Sequence, residues 1–395
     1  MTTKLLFCAM LVQAVACNGQ PHSSTKPLVL PIDYDSYILL KAKINNSHPA
    51  NLLLDTGADE LLLDEQYFNG TGIVIERSQQ AQLPGAGAEP QVITVVLDPM
   101  TVHIDSIAYY PRYVPLMDLR SIVGEKADGI IGPAFLQPYL TEIDFENECL
   151  LLHTDQVVLT GFDSIKLDVR NNRYYLPTII EAADGLTVKG MLQFDLGNGG
   201  NVILTSPTAL DYDLETKISK KIKFFNNNGG AGGRIEGYLF RAKSLTIGRT
   251  CLVEPCIEWS TDQGGALAKS EFAGLLGNEI LERFRVIFDR KNAVLYLKPK
   301  PNLSDHFRST AIGMSLVNKR NSLGIALVTG LFEGGNAEKA GLQAGDRIRT
   351  IGDKKVTDMS EADWEKFRLP GEPVELEFVR GGVERKVWLE RVEGL

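Results

Sequence analysis

The feature that most constrains this 395-residue chain is an internal repeat. Leu53-Leu54-Asp55-Thr56-Gly57-Ala58 returns in partial form as Gln193-Phe194-Asp195-Leu196-Gly197-Asn198. Each copy places an acid on a Gly-containing turn after an apolar run. Gly129-Ile130-Ile131-Gly132 begins 74 residues after Asp55, and Gly274-Leu275-Leu276-Gly277 begins 79 residues after Asp195. Both are Gly, two aliphatics, Gly. Asp144 and Asp289 then lie 12 residues beyond Gly132 and Gly277, Asn147 and Asn292 lie 15 beyond, and Leu150 and Leu295 lie 18 beyond. Phe135-Leu136 aligns with Ile280-Leu281. A repeat is read before local structure because it dictates architecture. Two long copies are too few for a solenoid, so the expectation is a two-lobed body with pseudo-twofold symmetry. One acid from each lobe then meets the other at the seam. Two carboxyls in contact cannot both ionise and instead share a proton.

Local patterns point to strands. Tyr37-Ile38-Leu39-Leu40-Lys41-Ala42-Lys43-Ile44 and Ala293-Val294-Leu295-Tyr296-Leu297 alternate, and Asn-Asn-Ser-His-Pro and Asp-Arg-Lys-Asn clusters mark turns. With the repeated acid loops and Gly-aliphatic-aliphatic-Gly segments, residues 27 to 300 resemble the aspartic proteases, in a compact bacterial two-lobed form nearer retropepsins than pepsin. That resemblance implies an all-β, bilobal aspartic-protease fold, with an N-terminal lobe over 27–160 and a C-terminal lobe over 161–300. Asp55 and Asp195 become the expected catalytic pair, on loops carrying Thr56, Gly57, Ala58, Leu196 and Gly197. Peptide or protein substrates follow, with no cofactor and no metal.

Composition excludes other classes. The net charge is −9 and no basic cluster interleaves with aromatics, so nucleic acid is not an expected partner. The five histidines are scattered, without metal-ligand spacing. No nucleophile-elbow or phosphate-loop pattern is present; the Gly229-Gly230-Ala231-Gly232-Gly233 run fits neither.

The amino terminus reads as an export signal over 1–17. Lys4 precedes a mostly apolar run from Leu5 to Ala16 that is too short to span a bilayer. Ala14-Val15-Ala16-Cys17 looks like a bacterial lipoprotein signal, with Cys17 lipidated and 18–26 as a tether. The expected location is the periplasm or outer membrane, held by a lipid anchor. Cys251 and Cys256 are close enough to form a small loop disulfide in an oxidising compartment, and Cys149 is expected to be a buried free thiol.

The last stretch changes character. After a Pro-rich linker, Ala337-Glu338-Lys339-Ala340-Gly341-Leu342-Gln343-Ala344-Gly345-Asp346-Arg347-Ile348 closely resembles the signature of bacterial PDZ domains. A small α+β PDZ domain is therefore expected over 308–395. Ile312, Gly313 and Met314 would form its carboxylate-binding loop, and Ser360 to Phe367 the helix that walls its groove. Such domains add a peptide to a sheet edge and capture a C-terminal carboxylate, so C-terminal peptides are expected partners.

Two points need a structure. The resemblance puts a hydroxyl after each acid, to hydrogen-bond with the opposite loop, and Leu196 has none. Thr56 is then expected to sit poorly satisfied in the seam, at roughly 1–3 kcal/mol. Second, flap tips that cover substrate are expected at Gly85, Ala86 and Gly87 in one lobe and at Gly230, Ala231 and Gly232 in the other. Two functions compete: an aspartic endopeptidase with a PDZ module, or a catalytically weakened peptide-binding scaffold of the cell envelope.

Overall fold

A computed structural model describes residues 26–46, 48–83, 91–155, 157–227 and 233–395. The export segment with Cys17 and the tips carrying Gly85, Ala86, Gly87, Gly230, Ala231 and Gly232 lie outside the described residues. Among the described residues no helix is long and apolar enough to cross a membrane.

The repeat is a repeat of strand register. In the first half, strand Gly129–Ile131 runs parallel to His48–Leu54, pairing Gly129 with Leu52 and Ile131 with Leu54. Its other edge is antiparallel to Leu61–Asp64. In the second half, Gly274–Leu276 runs parallel to Leu186–Phe194, pairing Gly274 with Leu192 and Leu276 with Phe194, and antiparallel to Val202–Leu204. Leu52 and Leu192 each stand three residues before their aspartate. The first Gly of each segment is obligatory. A Cβ on Gly129 would lie 2.5 Å from the Leu62 carbonyl oxygen, and one on Gly274 would lie 2.4 Å from that of Ile203. Both backbones pass too closely for a side chain.

A six-stranded sheet joins the lobes from below. Leu140–Asp144 of the first half pairs antiparallel with Phe284–Asp289 of the second, Ile143 opposite Val286. Leu28–Asp35 and Cys149–His153 extend one side, and Val294–Pro299 and Asp163–Lys166 the other. The repeated Asp and Asn build the same turn twice. Asp144 accepts from the backbone (3.0 Å) and side chain (2.8 Å) of Asn147, and Asp289 accepts likewise from Asn292 at 2.9 and 2.8 Å. An Asx turn of this kind reverses the chain between paired strands. One apolar core runs through both lobes and reaches Phe332 of the C-terminal unit.

Each lobe also carries a long hairpin, Ser78–Leu83 with Gln91–Val96 in the first and Lys221–Asn226 with Ile235–Arg241 in the second. The first ends its sheet. The second does not: Phe224, Phe225 and Asn226 pair with Phe332, Leu331 and Gly330 of the strand Ile325–Phe332, which belongs to the C-terminal unit. That unit has its own core, including Ile348, Trp364, Phe367 and Leu376. Its helix Glu361–Arg368 starts with a capping box between Ser360 and Asp363. The expected linker is pinned rather than loose. Arg283 donates to the carbonyls of Asn302, Leu303 and Asp305 and lies 3.4 Å over the Phe307 ring.

The cysteine expectation is corrected. Cys251 and Cys256 are both free, since Cys251 faces solvent while Cys256 is buried with its sulfur 3.8 Å from the Phe307 carbonyl. Burial pushes the Cys256 thiol up to about 12. Cys149 is free but only half-buried.

Candidate active site

The two aspartates arrive by equivalent routes. Asp55 N–H bonds the Ile131 carbonyl at 3.0 Å, and Asp195 N–H bonds that of Leu276 at 3.1 Å. Each carbonyl then closes its turn, accepting from Ala58 and Asn198 at 3.2 Å. Gly57 N–H donates to Asp55 Oδ1 at 2.5 Å, and Gly197 N–H to Asp195 Oδ1 at 3.0 Å. The absence of side chains at both glycines lets the carboxyls meet. A Cβ on Gly197 would lie 2.4 Å from the Asp55 carboxyl carbon, and one on Gly57 would lie 3.3 Å from Asp195 Oδ1.

The Asp55 and Asp195 carboxyls face each other across the seam, Asp195 buried and Asp55 half-buried, close enough to interact directly. Burial raises both above the ordinary carboxylate range, and Asp195 is raised further by the charge of Asp55 beside it. Each turn stabilises charge on its own carboxylate through a glycine N–H, so the single shared proton belongs to the pair.

The seam is tied from both sides by different chemistry. Thr56 Oγ1 donates to the Phe194 carbonyl at 2.6 Å and accepts from Leu196 N–H at 3.0 Å. The expectation of an unsatisfied Thr56 is therefore wrong, because its partners are backbone groups that do not depend on the side chain at 196. Leu196 is packed in the core at 1% exposure. The return tie comes from Asn278, just after Gly277. Its Nδ2 donates to the Leu196 carbonyl at 2.9 Å and across the seam to the Ser36 carbonyl at 2.8 Å. The corresponding position after Gly132 is Pro133, so no symmetry argument from sequence pointed to it.

Family comparisons agree with this geometry. Residues 40–135 match the aspartyl protease family model, and residues 327–380 match the PDZ domain model. The chain carries an aspartic protease domain followed by a PDZ domain. Among solved structures, a retropepsin-like aspartic protease from Rickettsia conorii is similar at 13% identity over 32% of this chain and 87% of that one. The TM-score between the two is 0.23. No curated protein matches the chain.

In the protease domain, alternation along His48–Leu54 puts Leu52 and Leu54 into the main core and Leu53 on the opposite face. There Leu53 packs with Leu39, Ile93, Val95 and Met117, under the hairpin Ser78–Val96. This apolar floor adjoins Asp55. Arg173, which drew no attention in the sequence, crosses from the second lobe to bond Asp59 Oδ1 at 2.6 Å. Its positive charge favours the ionised form of both aspartates. Among the described residues no group of side chains could hold a metal ion.

In the PDZ domain, Gly313 has a positive φ of 69° and its N–H already bonds Thr310 Oγ1 at 2.9 Å. Ile312 and Met314 are both buried at 5% exposure. The groove strand is Met314–Lys319 and the groove helix Glu361–Arg368. Strand Met314–Lys319 pairs only with Ile325–Phe332 among the described strands, so its outer edge has no partner strand.

Proposed function

We propose that this chain is an aspartic endopeptidase whose PDZ domain binds polypeptide. The Asp55–Asp195 pair, brought face to face by matching glycine turns, carries the reading. The ionised member of the pair, in this scheme Asp55, takes a proton from a water held between the carboxyls. The water oxygen forms a bond to the scissile carbonyl carbon while protonated Asp195 gives its proton to the carbonyl oxygen. The product is a neutral tetrahedral diol. In the second step a diol hydroxyl returns a proton to Asp195, Asp55 gives its proton to the amide nitrogen, and the C–N bond breaks. The products are a carboxylic acid and an amine, which then ionise in solution, and the dyad is restored with its single proton. Partial burial supports this, since a low-dielectric site strengthens the field at the developing charge.

The competing scaffold reading drew on Leu196, and Asn278 weakens it by supplying the second tie across the seam. Export and a lipid anchor at Cys17 belong to the proposal through the apolar run before that cysteine. The deciding experiment is incubation of the mature protein with a peptide library across pH, beside Asp55→Asn and Asp195→Asn. Cleavage by wild type that both variants lose is the expected result. Wild type that cleaves nothing spared by the variants leaves no hydrolase.

A further inference from the structure

A cavity of about 680 Å³ lies between the PDZ domain and the protease lobes. One wall is the PDZ groove itself, with Leu316, Val317 and Asn318 from the groove strand and Trp364 and Arg368 from the groove helix. The facing wall is the protease beside its dyad. Tyr37, Leu39 and Leu53 line it, Leu53 two residues before Asp55, and Gly199 joins them four residues after Asp195. The phenol of Tyr37 is held up mainly by burial and then by the charge of Asp195, which puts this wall within the field of the catalytic pair. The groove therefore faces protease residues that flank the dyad in sequence, and neither Asp55 nor Asp195 itself lines the cavity.

Three observations describe what fits there. The outer edge of Met314–Lys319 has no partner strand, and an unpaired edge accepts an extended chain through main-chain hydrogen bonds. Two polar atoms in cavity-lining residues are buried without a partner, the indole Nε1 of Trp364 and the hydroxyl of Thr329, each residue 3% exposed. Native structures leave few such atoms, and each calls for a bonding partner. Finally, the far end of the groove is shut by the protease. Gly124 packs on the Asn318 backbone so closely that a Cβ would lie 3.2 Å from its carbonyl oxygen. The Glu125 carboxylate accepts the N–H groups of Asn321 (2.7 Å) and Ser322 (2.9 Å), and Lys126 bonds Asp35 and Glu361, each at 2.6 Å. A chain on the groove strand cannot run past Asn318 and is turned toward the lobes.

We propose that groove and catalytic cleft form one channel, in which a single unfolded polypeptide lies with its scissile bond at Asp55 and Asp195 and a flanking segment paired to the edge at Leu316. This rests on the endopeptidase reading and assigns the PDZ ligand as an internal stretch of the substrate rather than a chain terminus. The cavity lining starts at Leu316 and leaves out Ile312 and Gly313, and the Gly313 N–H is already bonded. Acidic and basic side chains both line the cavity, while Leu39, Leu53, Leu316 and Val317 favour apolar side chains at alternate positions of the segment.

The test uses the full chain carrying Asp195→Asn, fluorescein-labelled β-casein as an unfolded probe, and anisotropy. Binding should weaken tenfold or more on adding Leu316→Glu, and severalfold on adding Trp364→Phe, which removes only the indole N–H and guards against misfolding of the first variant. In the active background, the ratio of kcat/KM for casein to that for a six-residue peptide should fall tenfold with Leu316→Glu. Casein binding and that ratio both indifferent to the two substitutions overturn the channel, even if wild type cleaves. A 12-residue peptide that binds ten times better as free acid than as amide, without competing with casein, overturns it too. If wild type cleaves nothing while casein binding still depends on Leu316 and Trp364, the hydrolase reading fails and the groove assignment stands.

Discussion

The two lobes share a backbone register and differ in what holds them. The first lobe grips the second through a hydroxyl, Thr56, bonded to Phe194 and Leu196. The second grips the first through an amide, Asn278, bonded to Ser36 and Leu196. The hairpins differ more. Ser78–Leu83 ends its sheet, whereas Lys221–Asn226 continues into the PDZ strand Ile325–Phe332. Equivalent positions thus give one hairpin a free edge and make the other a bridge to a second domain. The symmetry lies in the route that brings each acid to the seam, and the asymmetry in everything attached to it.

The largest effects test whether the lobes contribute equally to chemistry. Asp55→Asn and Asp195→Asn should each lower kcat on a cleaved peptide on the order of a thousandfold. Full activity in Asp195→Asn would break the two-lobe dyad in favour of Asp55 pairing with a second copy of the chain. Next come the ties. Thr56→Val strands the Phe194 carbonyl and the Leu196 N–H in the buried seam and should destabilise by about 2–4 kcal/mol in urea unfolding. Asn278→Leu should cost about 1–3 kcal/mol, less because one of its own atoms, Oδ1, has no partner to lose. No loss for Asn278→Leu would show that the amide is not the counterpart of the hydroxyl.

A smaller effect is confined to the second lobe. Burial raises Glu258 and Glu279 to about 7, each helped by a neighbouring carboxylate. The folded state then holds protons that the unfolded state releases above the ordinary glutamate value of about 4.3. Stability is therefore fullest below that value and falls as pH rises to about 7, by roughly 2 kcal/mol in total after allowance for relaxation. Thermal melts at both pH values, with Glu258→Gln flattening the difference, check this. The smallest effect concerns the hairpins. Gly330→Ala places a Cβ 2.1 Å from the Phe225 carbonyl oxygen and should cost about 1–2 kcal/mol by prying the bridge open. Hydrogen exchange should then speed up in 221–226 and leave 91–96 unchanged; a change in both would show that the hairpins are coupled.

Much of this was legible in the chain. Tyr37–Ile44 is a strand over the predicted span because alternation reports a two-faced environment. Ser360 begins a helix because its capping partner, Asp363, is three residues away. Both signals are local. Cys251 and Cys256 misled because closeness in sequence says nothing of which way each thiol faces. Thr56 misled because its partners were sought on a side chain, and the backbone of the opposite loop supplies them.

The sequence by itself determined that two acids follow matching strands, that Gly129 and Gly274 open equivalent Gly-aliphatic-aliphatic-Gly segments, and that an Asp–Asn spacing recurs in each half. Those features repeat at fixed spacing, so comparing the chain with itself reveals them. Only the tertiary structure decided that Asn278 completes the seam, that Arg173 reaches Asp59, that one hairpin docks on the PDZ sheet, and that Gly124–Lys126 shuts the groove. Each of these joins residues far apart in the chain. No local propensity or period encodes such a pairing, and it exists only once packing has brought the two surfaces together.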